Sequence, residues 1–428
     1  MKPQPVKLII IGAGSRGNAY ADYATQYPNE TQIVGVAEPR EPYRKQLAEK
    51  YAIPNEFIFS NWQELAKQPR LADAVIIATP DQEHTAPALA FIKKGYHILL
   101  EKPMAPTQAE CEQITQAATK ANLHFAVCHV LRYTDFTKKL KKIIENKQIG
   151  DLINIQVLEP VGYWHQAHSF VRGNWRNETE SSSMLLAKCC HDIDWINYII
   201  PATCSAIQSF GNLRHFRSSE QPKGASDRCT DCSIESTCPY SALKIYFGVF
   251  DKGSIDWPLN VLTPNPTRET ILNALQTGPY GRCVYACDND VVDHQTVNME
   301  FTDGTTATLT MTAFTQSAAR KIRLFGTKGE LDCDGKTIRH FDFMTDQWTT
   351  IEIPSSDPSI LGGHGGGDFG LMKAFITAIS QNNPNLIISG PAATMQSHRM
   401  VFSAEESRKN KTVLQLNPDE SNTFLAKS

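Results

Sequence analysis

The apolar run Val6-Lys7-Leu8-Ile9-Ile10-Ile11 breaks on Gly12-Ala13-Gly14-Ser15-Arg16-Gly17. A stretch with helical periodicity follows, from Ser15 to about Tyr27, and then a second apolar run, Ile33-Val34-Gly35-Val36-Ala37, ends on Glu38. Strand, glycine turn, helix and strand, with an acidic residue about 20 positions beyond the glycines, is the pattern a βαβ dinucleotide site needs. Gly12 permits the tight turn, Gly14 lets the backbone approach a pyrophosphate, and Gly17 lets helix and strand pack closely. The free amides of Ser15 and Arg16 at the helix start face the phosphates. Glu38 accepts hydrogen bonds from the adenosine ribose and repels a 2′-phosphate, which favours NAD. Arg40, two residues on, keeps NADP open.

The alternation continues. Ala74 to Ala78, Tyr96 to Leu100 and His124 to Cys128 read as buried parallel strands, with helical periodicity over Glu83 to Lys94 and Gln108 to Ala121. The fold class expected is α/β, with an N-terminal Rossmann doubly wound parallel sheet in residues 1–130. A C-terminal α/β domain with an open, mostly antiparallel sheet is expected over residues 131–428. Its strands are read at Leu152 to Glu159, Ser205 to Asn212, Gln295 to Phe301, Thr305 to Ala313 and Ile322 to Phe325, with a hairpin turn at Thr302-Asp303-Gly304-Thr305. Residues 216–290 read as an irregular insertion. Helices return at Phe369 to Gln381 and Ala392 to Lys409.

A formal net charge of −3 gives no footprint for nucleic acid or an anionic membrane, and the apolar runs are too short to span a bilayer. No secretory leader is read at the start, so the eleven cysteines are expected to be mostly reduced thiols in a cytoplasmic protein. An open sheet with one uncovered face favours a homo-oligomer.

Glu101-Lys102-Pro103 directly follows a parallel strand. With the glycine fingerprint, the Thr79-Pro80 step and His84, it resembles the Gfo/Idh/MocA family of sugar and cyclitol oxidoreductases. The resemblance implies NAD(P)-linked hydride transfer at a hydroxyl-bearing ring carbon. Cofactor contacts are then expected from Gly12, Gly14, Ser15, Arg16, Gly17, Glu38, Arg40, Thr79, Pro80, His84, Glu101 and Lys102. The lysine after the strand and a later histidine flank the substrate in that pattern, and the matching positions are Lys102 and His191. The family's dehydrogenases usually carry an aspartate four residues before that histidine; here the position is Ala187. Some relatives are instead glycoside hydrolases that keep NAD bound through oxidation, elimination, hydration and reduction, and the departure at Ala187 keeps that alternative open. A non-catalytic sensor built on the same pocket is the third reading, disfavoured by the joint presence of Lys102 and His191.

Hydride transfer from a carbinol needs a base for the hydroxyl proton. Lys102 and His191 are the candidates, with Tyr133 as a further proton donor and Pro103 expected in cis. Asp194 or Asp192 can orient the His191 ring. The run Tyr163 to Arg176 reads as a carbohydrate-binding loop, since aromatic faces stack on sugars while His and Arg bond hydroxyls. It offers Trp164, His165, His168, Arg172, Trp175 and Arg176; with Lys188 nearby, an anionic sugar is an option. His129 and Asp192 are second-rank substrate contacts, and His364 in Gly362 to Asp368 belongs to a lid or a linker. Cys229, Cys232 and Cys238 form a candidate structural zinc site, with a fourth ligand from Cys283, Cys287 or His215.

Overall fold

The computed structural model describes residues 4–354 and 365–417; the candidate lid residue His364 lies outside them. Six parallel strands, β1 (Val6–Ile11), β2 (Thr31–Ala37), β3 (Ile58–Phe59), β4 (Ala74–Ile77), β5 (His97–Leu100) and β6 (Phe125–Val127), lie in the order β3-β2-β1-β4-β5-β6. The apolar run of β1 is continuous because both of its faces are covered. Leu8 and Ile10 join one core with Tyr20, Tyr23 and Val36, whereas Ile9 and Ile11 join the opposite core with Phe91, Ile98 and Leu100.

The first of these cores is completed from the far end of the chain. Phe369, Leu371, Met372, Phe375 and Ile376 of the helix Gly367–Gln381 pack against Leu8, Ile10, Tyr20 and Tyr23. A division at residue 130 therefore assigns this helix to the wrong core. Its periodicity is plain in the sequence, but periodicity does not say which sheet an amphipathic helix covers.

The second sheet has nine strands: β7 (Leu152–Pro160), β8 (Cys204–Asn212), β9 (His294–Phe301), β10 (Thr306–Thr312), β11 (Lys321–Gly326), β12 (Gly329–Cys333), β13 (Thr337–Asp342), β14 (Gln347–Glu352) and β15 (Leu414–Gln415). Their order is β14-β13-β12-β11-β7-β10-β9-β8-β15, parallel at β7–β10 and antiparallel elsewhere. Gly304, at φ +86°, closes the β9–β10 hairpin at the expected turn. Ile155, Val157, Val297, Met299, Leu309 and Ile322 point to one face, where Ile193 and Ile196 of the helix Cys190–Ile199 and Val401 of the helix Pro391–Asn410 cover them. The strands β12 to β14 were not read from the sequence. In β14 five of six residues are exposed, so little alternation marks it.

The insertion is not irregular. It contains the helices Ala242–Phe250, Leu259–Leu262 and Arg268–Thr277 around its own core of Phe216, Tyr246, Leu259, Ile271, Leu275 and Tyr280. Among the described residues no helix is long and apolar enough to cross a membrane.

Candidate active site

The turn after β1 has the geometry a dinucleotide requires. Gly12 sits at φ +92°, and a Cβ there would lie 2.5 Å from the Ala78 carbonyl oxygen. At Gly17 a Cβ would lie 2.0 Å from the Gly12 carbonyl oxygen, so any side chain would drive the helix Ser15–Gln26 off the strand. Glu38 ends β2 with its carboxylate buried, accepting from the Ala13 amide at 2.8 Å and from Arg40 through its amide at 2.9 Å and Nε at 2.8 Å. Burial opposes ionisation of Glu38, yet Arg40 and the backbone donors outweigh it and hold the carboxyl below its ordinary range. Arg40 therefore partly neutralises the group that should reject a 2′-phosphate. Glu38→Gln is expected to weaken NAD about tenfold, the cost of a charged hydrogen bond, while freeing Arg40 to favour NADP. Titration of both coenzymes checks this; an unchanged NAD to NADP ratio would remove Glu38 from the ribose.

Three other expected cofactor contacts are occupied within the protein. Arg16 donates from Nε to Glu101 Oε1 at 2.6 Å and from Nη2 to Asp368 Oδ1 at 2.5 Å, tying the first helix to β5 and to the helix Gly367–Gln381. Thr79 Oγ1 donates to the Glu83 carbonyl at 3.0 Å, next to Pro80. His84 is fully buried, its ring nitrogens 2.7 Å from the Pro103 carbonyl oxygen and 3.0 Å from that of Thr79. It locks the turn after β4 to the turn after β5.

That second turn carries Lys102, ahead of a cis Lys102–Pro103 bond. The Lys102 amide donates to Glu101 Oε2 at 2.8 Å, and Nζ reaches across to the Ala187 carbonyl at 2.6 Å. Ala187 ends the helix Met184–Ala187, immediately before the helix that presents His191. The lysine of one domain is thus held against the histidine-bearing segment of the other. The His191 ring stands edge-on to His129 with centroids 5.9 Å apart, and His129 stands edge-on to His398 at 5.6 Å. Burial depresses His129 to about 4 and His398 to about 3; His165 falls to about 3 through burial and then the charge of Lys188. The Lys102 charge bears on all three, so these rings are uncharged near neutrality and cluster about one ammonium group.

Several expected roles are corrected. Asp194 is engaged by other residues: it forms a bidentate pair with Arg132 at 2.7 and 2.7 Å, accepts from Ser397 at 2.8 Å and lies 3.5 Å from His129. Tyr133 is no proton donor to the cleft. Its buried hydroxyl meets Ser389 Oγ at 2.9 Å and accepts from the Ile388 and Ser389 amides, a packing role. The Tyr163 to Arg176 run is helical, Tyr163–His165 running into a π-helical turn, Gln166–Arg172. His168 turns into the insertion, stacked on Tyr280 and 2.8 Å from the Tyr246 hydroxyl. Arg172 follows it inward, donating to the carbonyls of Arg282 and Tyr240. Arg176 pairs with Asp288 and Glu180 on the outside, and Trp175 Nε1 donates to Asp81 at 3.3 Å. Trp164, beside Trp257, and His165 stay half-buried, and of the whole run His165 is the residue whose ring feels Lys102. The core hidden in the insertion is what claims the others, and no local pattern reveals it.

A buried charge cluster closes the second-sheet side. Glu159, near the end of β7, meets Lys188 Nζ at 3.0 Å and Arg320 Nε at 3.1 Å, and Arg320 also meets Asp192 at 2.5 Å. Glu159 is held down to about 2: its burial is outweighed by Arg320 and Lys188. Asp192, fully buried, is pushed up by that burial despite Arg320. Lys188 and Asp192 thus have partners before any substrate arrives. Glu159 and Arg320 escaped the sequence reading, although Glu159 shares the strand phase of Ile155 and Val157 and so places a carboxylate on the core face. Finally, among the described residues no three His, Cys, Asp or Glu side chains converge on a point where one metal ion would sit, so the single zinc expected at Cys229, Cys232 and Cys238 is not preformed.

A family model described as "Oxidoreductase family, NAD-binding Rossmann fold" matches residues 6–129, and one described as "Oxidoreductase family, C-terminal alpha/beta domain" matches residues 141–416. The chain belongs to this Gfo/Idh/MocA oxidoreductase family. Its N-terminal domain is the family's NAD-binding domain. It is similar to the putative oxidoreductase YteT of Bacillus subtilis, 21% identical over 76% of each chain. It is also similar to the 2,7-anhydro-N-acetylneuraminate hydratase of Escherichia coli, 24% identical over 48% of this chain and 53% of that one. Among solved structures of this Gfo/Idh/MocA fold, levoglucosan dehydrogenase in complex with NADH and levoglucosan superposes with a TM-score of 0.70 at 18% identity, covering 96% of this chain and 99% of that one.

Proposed function

We propose that this protein is an NAD-dependent dehydrogenase that oxidises a ring carbinol of a sugar, glycoside or cyclitol. The observation that carries this reading is the Lys102 ammonium held at the His191 segment by the Ala187 carbonyl, at the carboxyl edge of the nucleotide-binding sheet. NAD, held by its pyrophosphate at the glycine turn, would supply the hydride acceptor. Lys102 orients the reacting hydroxyl, and His191 takes its proton. Lys188 and Arg320, whose side chains keep 21% and 18% of their surface exposed, set the polar wall against which further hydroxyl groups bind.

Ala187 favours a second reading, a glycosidase or hydratase that holds NAD and returns the hydride to the ring after elimination. The kinship with the 2,7-anhydro-N-acetylneuraminate hydratase supports it. One assay separates the two. Dialysed protein is mixed with NAD and a panel of sugars, cyclitols and aryl glycosides, and NADH and released aglycone are followed together. Stoichiometric NADH is the expected result; aglycone release without NADH would replace the dehydrogenase with the redox-neutral cycle.

A further inference from the structure

The insertion holds a second site, built from cysteine. Cys229, Cys232 and Cys238, spaced as C-x2-C-x5-C, and Cys283, more than forty residues on, all line a single cavity of about 160 Å³. None of them forms a disulfide. Arg172 lines the same cavity, and its environment is the second, independent observation. Its side chain is among the most deeply buried in the protein, at 1% exposure. It donates to the Arg282 and Tyr240 carbonyls and points Nη2 at Cys229 Sγ, 3.5 Å away, while Nη1 has no hydrogen-bond partner. No ion pair forms with this guanidinium among the described residues; the carboxylate on the cavity wall, Glu235, is engaged by the Ser241 hydroxyl. A permanently charged group buried without an ion-pair partner is unfavourable, and the cavity wall it faces is where a counter-charge would sit. Neutral thiols do not supply it; metal-bound thiolates do.

Whether the sulfurs converge bears on what kind of metal group fits. A lone zinc draws four sulfurs to about 2.3 Å from one point, and no such convergence exists here. In an iron–sulfur cube each iron takes a single cysteine, so the four sulfurs stand apart around a central volume. Two of the cysteines also share a local device. The amides of Tyr240 and Tyr285, each two residues on, donate to the sulfurs of Cys238 and Cys283. Amides donated to sulfur favour the thiolate that an iron requires.

We propose that Cys229, Cys232, Cys238 and Cys283 ligate a [4Fe–4S] cluster whose negative charge is balanced by Arg172. Its role is structural: Arg172 ends the π-helical turn that begins just after His165, so the cluster fastens the insertion to the segment forming one wall of the cleft.

The test is made on full-length protein purified without oxygen and without chelators. Four irons and four acid-labile sulfides per chain are expected, with a broad visible absorbance that dithionite bleaches. Cys232→Ser should lower iron and sulfide at least severalfold, whereas Cys287→Ser, which alters a cysteine outside the cavity lining, should keep both. One zinc per chain with no sulfide would overturn the cluster, and so would metal-free protein whose four thiols all react with an alkylating reagent. Because the readout is iron and sulfide content, it stands whether or not the sugar dehydrogenase reading survives.

Discussion

Lys102→Ala is expected to lower kcat by about 100-fold or more while NAD binding is retained. The size follows from the loss of a positioned proton-transfer and orienting group, which is worth two to four orders of magnitude. Retention of NAD follows from the architecture. The glycine turn and Glu38 lie on β1 and β2, and the Lys102 ammonium spends its hydrogen bond on the Ala187 carbonyl of the other domain. His191→Ala should give a loss of the same order through the other side of the cleft. Single-turnover NADH formation together with coenzyme titration makes the measurement. Near-normal turnover in either variant would take that residue out of the chemistry.

The second large effect is expected at Arg320, which bridges Glu159 on β7 and Asp192 beside His191. Arg320→Met should destabilise the protein by about 3–5 kcal/mol, the usual cost of stripping one partner from a buried charge network. Lys188 remains for Glu159, so most of the loss falls on Asp192. The sign of its pH dependence is fixed. Without Arg320 the folded pKa of Asp192 rises further above its unfolded value, so the folded state binds a proton the unfolded state has released, and stability falls as pH rises through that window. In the unaltered protein Glu159 acts the other way, since its lowered pKa contributes stability above its unfolded pKa that is lost as pH falls toward about 2. The deficit of Arg320→Met should therefore be larger at pH 8 than at pH 4 in urea unfolding. An equal deficit at both would show that the guanidinium acts by packing alone.

The nucleotide half of the molecule was legible because its signals are local. The tight turn at Gly12, the close approach at Gly17 and the acidic end of β2 are written within a few turns of chain, and the structure keeps each in place. Lys102 was legible for the same reason, since it directly follows a buried strand. What failed was long-range. Asp194 sits one helical turn from His191, yet Arg132, from beyond β6, claims it. His168 and Arg172 stand in a polar, aromatic run that suits a sugar, but their partners Tyr246 and Tyr240 in the insertion lie more than sixty residues downstream and draw them inward. Glu159 carried a usable signal, a charge in the buried phase of a strand; its partner Arg320 carried none.

The helix Gly367–Gln381 lays Phe369, Leu371 and Phe375 over the inner side chains of β1. Synthesis delivers the strand first and its cover nearly last, so the nascent nucleotide-binding half leaves the ribosome with one apolar flank bare. A truncation before Gly367 is therefore expected to uncover Leu8, Ile10, Tyr20 and Tyr23 and to weaken the sheet that carries the coenzyme turn.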